Sequence, residues 1–545
     1  MLRYFIWFGL MILLSIGLQG QADSTRTAEL DALIEDVISG VEIDEQVDFT
    51  EWSDELQDLL RKPLDLNRAT REELSLLPGM DALRVNQLQA HIERFGALTS
   101  VFELQAVEGF TADLIRQIKP FVKAGAARET DIRRENQHPS GPGFREIVES
   151  LSFEWLQRMV WIAEEQRGYT PPDTSFRDIV DDQGNLLRQD TSLSTRYAGN
   201  PFRHYSRLRV RAGKHVSLAL TAEKDPGERF AWNPRQGLYG YDFLSGHISL
   251  RDFGRLKRLV IGDYTIETGQ GLILSRGLGF GKSAEAISTL KAPGRGIMPY
   301  ASVNENQLMR GIAATYAVGP LYFTGFFSRI NLDASVQAED TLSQEVLEAG
   351  GLQLSGLHRT PSEIANRRSL QETVVGGRVE FRKGTLKIGT THYYQQFAAP
   401  LDRPVNGYNQ FDFRGDRNFL NGVDVDWAYR NFNLFGEAAR SRSGGTAVLA
   451  GIMASLSSNF DVSLLARRFD RDFHSQKAYV FAERPTAVRN EQGLYLGLRV
   501  IPRRKWIWQS YLDRFRFPWN TFRASAPYTG WEVLSQLSYR PRRGT

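Results

Sequence analysis

The chain has 545 residues, 41% hydrophobic and 24% charged, and no cysteine. That composition excludes global disorder, disulfides, thiolate-bound metal, thiol catalysis and a lipidated N-terminal cysteine. The net charge of +3 is unevenly spread: residues 23–63 carry −10, residues 64–123 carry −1, and residues 124–545 carry +13.

Residues 1–22 read as a secretory signal. Arg3 supplies the positive start, Tyr4 to Leu18 is apolar, and Gly20 and Ala22 are small residues before a cut at Asp23. An acidic helical segment is expected over 23–63, where Leu30, Leu33, Ile34, Val37 and Ile38, then Leu56, Leu59 and Leu60, recur at helical spacing. Thr70 and Glu73 then have the spacing of a capping box. Pro78-Gly79-Met80 turns the chain into a second helix carrying Val85, Leu88 and Ile92, which Gly96 stops. Ser100 and Glu103 cap a third short helix to Val107, Gly109-Phe110 turns again, and a helix from Ala112 to Ile118 ends at Pro120.

These features, read as "LDLNRATREELSLLPGM…GALTSVFELQAVEGF…IKPFV", resemble the tandem helix-hairpin-helix domain of competence-type DNA-binding proteins across residues 64–123. The resemblance implies two hairpins that offer backbone N–H groups at a helix N-terminus to a phosphate. The family hairpin is Gly-hydrophobic-Gly. Here the tips are Gly79-Met80-Asp81 and Gly109-Phe110-Thr111, and both lack the second glycine. Asp81 puts a carboxylate where a phosphate would sit, and Ile92 stands where the family has a basic residue. Arg84, Arg94, Arg116 and Lys119 remain available. Nucleic-acid affinity comes mainly from cations, and a domain at −1 preceded by a segment at −10 is poorly suited to supply it. The expected role is periplasmic docking to a protein partner, with DNA binding or DNA uptake as the alternative.

Residues 124–143 form a small, charged, Gly/Pro-rich linker. From 144 to 545 the pattern has period two. Leu208, Val210 and Ala212 alternate with Arg207, Arg209 and Arg211, and Val423, Val425, Trp427 and Tyr429 alternate with Asp424, Asp426 and Arg430. Val216 to Ala222 and Leu494 to Val500 repeat it. Turns fall at Lys383-Gly384, near Asn431, at Ser457–Asn459 and at Pro502–Arg504. Long polar connections (331–373, 396–420, 470–491) separate the hairpins. Short turns at one end and long loops at the other predict a transmembrane antiparallel β-barrel of roughly sixteen strands, each ~9–11 residues. A soluble sandwich would lack the polar interior that so many alternating Arg and Asp residues require. The stretches "LTAEKDPGERF", "YDFLSGHISLRD", "GDYTIETGQGLILSRGLGFGKS", "SGLHRTPSE", "YNQFDFRG" and "FRFPW" resemble Gram-negative outer-membrane proteins with an N-terminal helix-hairpin-helix domain. That resemblance implies a mixed architecture, a small all-α domain before a monomeric barrel in outer-membrane lipid, and implies no defined activity.

Several motifs are weaker. "GLGFGKS" (Gly277 to Ser283) has Arg276 where a phosphate-binding loop needs glycine, so Gly269 to Gly281 reads as a Gly-rich loop that can fold into the lumen. Arg414-Gly415-Asp416 reads as chance in a polar loop. The eight histidines show no metal spacing, and His358 and His392 stand as isolated polar positions. No catalytic set emerges from spacing, so neither enzyme activity, cofactor nor metal is expected; the residual enzymatic alternative is an outer-membrane hydrolase. Arg207, Arg209, Arg211, Arg251, Arg378 and Arg499 fall on the inward parity. They either favour anionic solutes or neutralise acidic groups across the lumen. The closing strand is expected at Gly530 to Tyr539, with an unusual basic tail or a truncated end, and its partner is the first strand near Ser152 to Ile162.

Overall fold

The protein is described from a computed structural model, which covers residues 63–125 with Leu56, Leu59 and Leu60, and residues 143–539 except 181–185, 234–237, 276–280, 306–307, 340–345 and 504. The expected signal, most of the acidic segment and most of the linker lie outside the described residues. No helix among the described residues is long and apolar enough to cross a membrane.

The N-terminal unit is helical, with α1 (Arg71–Leu74), α2 (Ala82–Phe95), a 3-10 turn (Val101–Ala106) and α3 (Ala112–Ile118). Its boundaries follow local chemistry. Thr70 and Glu73 close the capping box on α1, Asp81 caps α2 by accepting from the Arg84 N–H, and Thr111 caps α3 by accepting from the Leu114 N–H. Leu66, Leu74, Leu88, Leu104, Ile118 and Phe121 fill its own core, to which Leu56 also belongs. A two-residue parallel pairing, Leu64–Asp65 with Val122–Lys123, ties its ends together. A short helix α4 (Phe144–Glu149) leads into the sheet.

Among the described residues, sixteen antiparallel strands then build the wall. The first eight are β1 (Leu151–Trp161), β2 (Phe202–Ala212), β3 (Val216–Lys224), β4 (Phe243–Phe253), β5 (Leu256–Glu267), β6 (Met309–Val318), β7 (Leu321–Leu332) and β8 (Leu370–Lys383). The remainder are β9 (Leu386–Leu401), β10 (Gly415–Tyr429), β11 (Phe432–Ser441), β12 (Thr446–Ser457), β13 (Phe460–Phe469), β14 (Glu491–Arg503), β15 (Trp506–Phe517) and β16 (Tyr528–Tyr539). Three short strands, Gly296–Pro299, Ala334–Glu339 and Val346–Leu352, attach to this sheet. The strand order is cyclic and sets β16 beside β1. Register joins each successive pair from β1 to β16, but none joins β16 back to β1, and both strands are largely exposed on their two faces.

The alternation sorts side chains as expected. Val423, Val425, Trp427 and Tyr429 point out, as do Leu220, Ile248, Ile261, Ile312, Ile388 and Leu464. Their inward neighbours are buried, among them Glu372, Gln395, Arg467 and Asp513. A belt of exposed Ile, Leu, Val, Trp and Tyr round a polar interior is the inverse of a soluble protein and matches a hydrocarbon surround.

Some details differ from expectation. Arg430 lies in the turn after β10, with φ of 52°, and is not part of the strand's polar face. Strand β14 runs through Pro502 to Arg503, into the expected turn at Pro502–Arg504, with a register shift between Val500 and Arg503; proline has no N–H to give the ladder, so the pairing breaks there. The connection 396–420 is shorter than its sequence suggests, because β9 extends to Leu401 and β10 starts at Gly415.

Candidate functional site

The lumen is filled. The chain between β5 and β6 turns inward, and Leu272, Ile273, Leu274, Ala286, Ile287 and Leu290 pack in one buried cluster with wall residues such as Tyr393, Leu449 and Tyr495. A second loop, between β13 and β14, adds Phe473, Val480 and Phe481. Wall polar groups hold the first loop: the Glu437 carboxylate accepts from the N–H groups of Gln270 (2.6 Å) and Leu272 (3.1 Å), and the Tyr495 hydroxyl donates to the Ala286 carbonyl (2.9 Å). Lys282 pairs with Asp513 (2.7 Å), Glu532 (2.6 Å) and Glu483. The Gly269–Gly281 loop therefore does enter the lumen; residues 276–280 of it lie outside the described residues.

The short-turn mouth is covered by the helical unit. Its acidic side chains meet basic wall residues near the turns. Glu73 pairs with Arg251 at 2.8 Å, Glu72 pairs with Lys387, and Asp81 pairs with Arg499 at 2.9 Å. The Gln87 amide donates to the Ser455 hydroxyl at 3.1 Å. Leu83, alone among the described buried residues of the helical unit, belongs to the lumen cluster rather than to its own domain's core. This burial contributes roughly 1.5–3 kcal/mol.

Asp81 is the centre of this contact. Its side chain is 1% exposed and that of Arg499 is 4%, and Arg499 also pairs with Asp461 at 2.6 Å. Burial would raise the Asp81 pKa, but Arg84 and Arg499 hold it below the usual carboxylate range. At Glu72 the same contest, burial against Lys387, ends at about 2.

The hairpin residues are brought together. Gly79 (φ 70°) and Gly109 (φ 81°) adopt the left-handed backbone that the tight turns require. Met80 and Phe110 are buried in the domain core. Arg84 donates to the carbonyls of both tips, Gly79 and Gly109 (3.3 Å for the latter), so it staples the hairpins to each other. Lys119 lies apart, over the Phe102 ring at 4.8 Å. Among the lumen candidates, Arg207 and Arg209 are buried, and Arg207 faces Glu154 at 3.6 Å. Arg211 is half-buried. Arg378 pairs with Glu380 (2.6 Å) and Asp424, Arg251 with Glu73, and Arg499 with Asp81 and Asp461. These last three neutralise acidic groups, two of them across the domain boundary.

At the long-loop end the sequence reading of His358 needs correction. It is buried, with Nδ1 at 2.6 Å from Asp242 and Nε2 at 2.8 Å from Asp333. Burial would lower its pKa, but the two carboxylates outweigh that and push it up to about 10. Glu228, which accepts from the His358 N–H at 3.0 Å, is raised to about 7 by burial and by the Asp242 charge. Glu228, Asp242 and His358, and likewise Glu305, Asp333 and His358, place ligand-type atoms within 4.8 Å of one another. Both His358 nitrogens are already engaged and Arg367 pairs with Asp242 at 3.2 Å, so the geometry is that of an ion-pair knot. These partners are about 25 to 130 residues apart in sequence, beyond any spacing rule. Arg414 donates to the carbonyls of Arg403 and Asn409 in its own loop, so the Arg-Gly-Asp tripeptide is internally tied at its arginine.

No family model matches the chain, and no curated protein matches it. Solved structures with similar strand arrangements are large outer-membrane barrels. The anion-selective porin from Comamonas acidovorans is 12% identical over 71% of this chain and 98% of its own, with a TM-score of 0.30. OpdQ of Pseudomonas aeruginosa is 10% identical over 73% and 90%, at 0.35. Wzi of Escherichia coli, a carbohydrate-binding barrel involved in group 1 capsule assembly, is 13% identical over 78% and 88%, at 0.31. At scores this low the likeness extends to no particular residue or activity.

Proposed function

We propose that the protein is a non-enzymatic outer-membrane barrel that is closed at rest and opens for transport, with the helical unit as its periplasmic plug. The signal-like N-terminus and the outward apolar belt support the location. The observation that carries the reading is the Asp81–Arg499 pair at 2.9 Å, buried between the two parts of the chain. Read as a tandem helix-hairpin-helix domain, the unit has Asp81 at the helix N-terminus where a phosphate would sit, and that carboxylate pairs with a wall arginine. Arg84, one of the basic residues left to meet a phosphate, is spent on two backbone carbonyls. These contacts favour docking over DNA capture.

The test is conductance in planar bilayers. The native chain is expected to be silent. A variant combining Asp81→Ala and Leu83→Ala with Glu437→Ala, which frees both the helical plug and the inward loop, is expected to give discrete conductance steps. Wide, steady conductance in the native chain would overturn the closed-at-rest reading. Duplex-DNA binding at low salt that competes with docking would revive the DNA alternative.

A further inference from the structure

A cavity of about 440 Å³ lies where the helical unit, the inward loop and the wall meet. Its size falls in the range of small-molecule sites, roughly 300–1,000 Å³. Two buried amides on its lining each have an atom without a partner, Nδ2 of Asn86 on α2 and Oε1 of Gln509 on β15. They are 9% and 7% exposed. A buried amide left unpaired is rare in a native structure and normally meets water or a ligand.

A third lining residue adds charge. Arg71 donates from Nε to Gln89 at 2.6 Å, and no carboxylate among the described residues pairs with it. The cations beside it are matched, Lys387 by Glu72 and Lys291 by Asp426 at 2.7 Å. Asp426, Glu72 and Glu93 act on Arg71 through their charges, but none of them ion-pairs with it, so among the described residues its guanidinium is left without an ion-pair partner. Gln89 lies three residues beyond Asn86 on α2, so the two stand on one face of the helix about 5–6 Å apart, and Arg71 and Asn86 both line the cavity. Glu285 also lines the cavity, accepting from Gln509 Nε2 at 3.2 Å.

We propose that this cavity binds a small hydroxylated carboxylate, the chemical class of sugar acids, with its carboxylate on Arg71 and its hydroxyls on Asn86 and Gln509. A guanidinium takes a carboxylate in a two-point grip. A hydroxyl both donates and accepts, so it satisfies an amide N–H and an amide carbonyl alike. One cation without an ion-pair partner matches one carboxylate, and Glu285 repels a second anion from Gln509. The site rests on the plug reading, because much of its lining comes from the helical unit.

The experiment is titration calorimetry on the full chain in lipid nanodiscs with D-glucuronate, D-glucose and propionate. Glucuronate is expected to bind saturably and at least about tenfold more tightly than either other probe. Arg71→Met is expected to abolish the preference over glucose, and Asn86→Leu the preference over propionate. Equal responses to all three probes, or no saturable heat, would mean a cavity that holds water only and would overturn the site. Docking is read separately by a short bis-maleimide bridging Gln87→Cys and Ser455→Cys, in a chain with no other cysteine. Bridging without binding refutes the site alone; failure to bridge removes the plug reading and the site with it.

Discussion

Replacing Asp81 by asparagine separates docking from folding. The amide of the Asp81→Asn variant keeps a side-chain oxygen for the Arg84 N–H, which lies 2.9 Å from Asp81 Oδ1, so the cap on α2 survives. What is lost is the charge facing Arg499, a guanidinium 4% exposed, and the weaker pairing with Arg84 at 3.5 Å. Stranding one member of a buried pair costs about 3–5 kcal/mol. Asp461 still holds Arg499 at 2.6 Å, so we expect the lower part of that range or less, about 2 kcal/mol, or roughly 30-fold in the docking equilibrium. The assay is the urea dependence of bis-maleimide bridging between Gln87→Cys and Ser455→Cys, with the melting of the helical unit followed in parallel. Arg499→Met should cost a similar amount, and the double variant should cost less than the sum by at least about 1 kcal/mol. Additivity within about 0.5 kcal/mol would refute the claim that this pair joins the domains.

Four further outcomes follow from the same contacts. Leu83→Ala should undock the helical unit at a cost of about 2–3 kcal/mol without lowering its own melting temperature, because Leu83 lies outside that domain's core; a lowered domain melting point would contradict this. The two ends of the barrel should respond oppositely to pH. Glu72, lowered to about 2 in the folded state, contributes stability that is present above about 4.5 and lost as pH falls towards 2, so acid should weaken bridging. His358 and Glu228 are raised to about 10 and about 7, so the stability their knot contributes is complete below their ordinary values and is lost as pH rises through about 7 and then about 10, read as faster proteolysis of the long loops in alkali. Gly497→Val should expel the inward loop, since a Cβ there would lie 2.3 Å from the Ala286 carbonyl oxygen, and proteolysis within 281–295 reports it. Finally, an open strand edge in hydrocarbon costs several kcal/mol per unpaired group. Hydrogen exchange in nanodiscs should therefore find β1 and β16 protected at consecutive amides, closing the seam; protection at alternate amides only would show that it stays open.

Much of this architecture is legible in the chain because its causes are local. Capping residues, glycine turns and period-two alternation involve neighbours a few positions apart, so α1 to α3 and the hairpin rhythm of sixteen wall strands can be read directly. The inward parity of Arg378 and Arg499 is legible for the same reason. Their partners are not, because Asp424 is chosen by the register of three neighbouring strands and Asp81 by docking. Asp81 looks in sequence like a defect in a phosphate-binding hairpin, and only its position against Arg499 gives it a use. His358 looks isolated because Asp242 and Asp333 come from distant parts of the chain. Arg71 and Asn86 carry no signal at all, since a surface helix commonly bears both; their meaning comes from what does not reach them.

The plug reading stands most directly on one measurement, bridging yield in native outer membranes. Gln87→Cys with Ser455→Cys, whose native side chains touch at 3.1 Å, should bridge within the chain nearly completely. Phe102→Cys with Ser455→Cys should not, because Phe102 is 57% exposed on the undocked side of the helical unit. Equal yields from the two pairs, or none from the first, would mean that the helical unit does not sit in the mouth of the barrel.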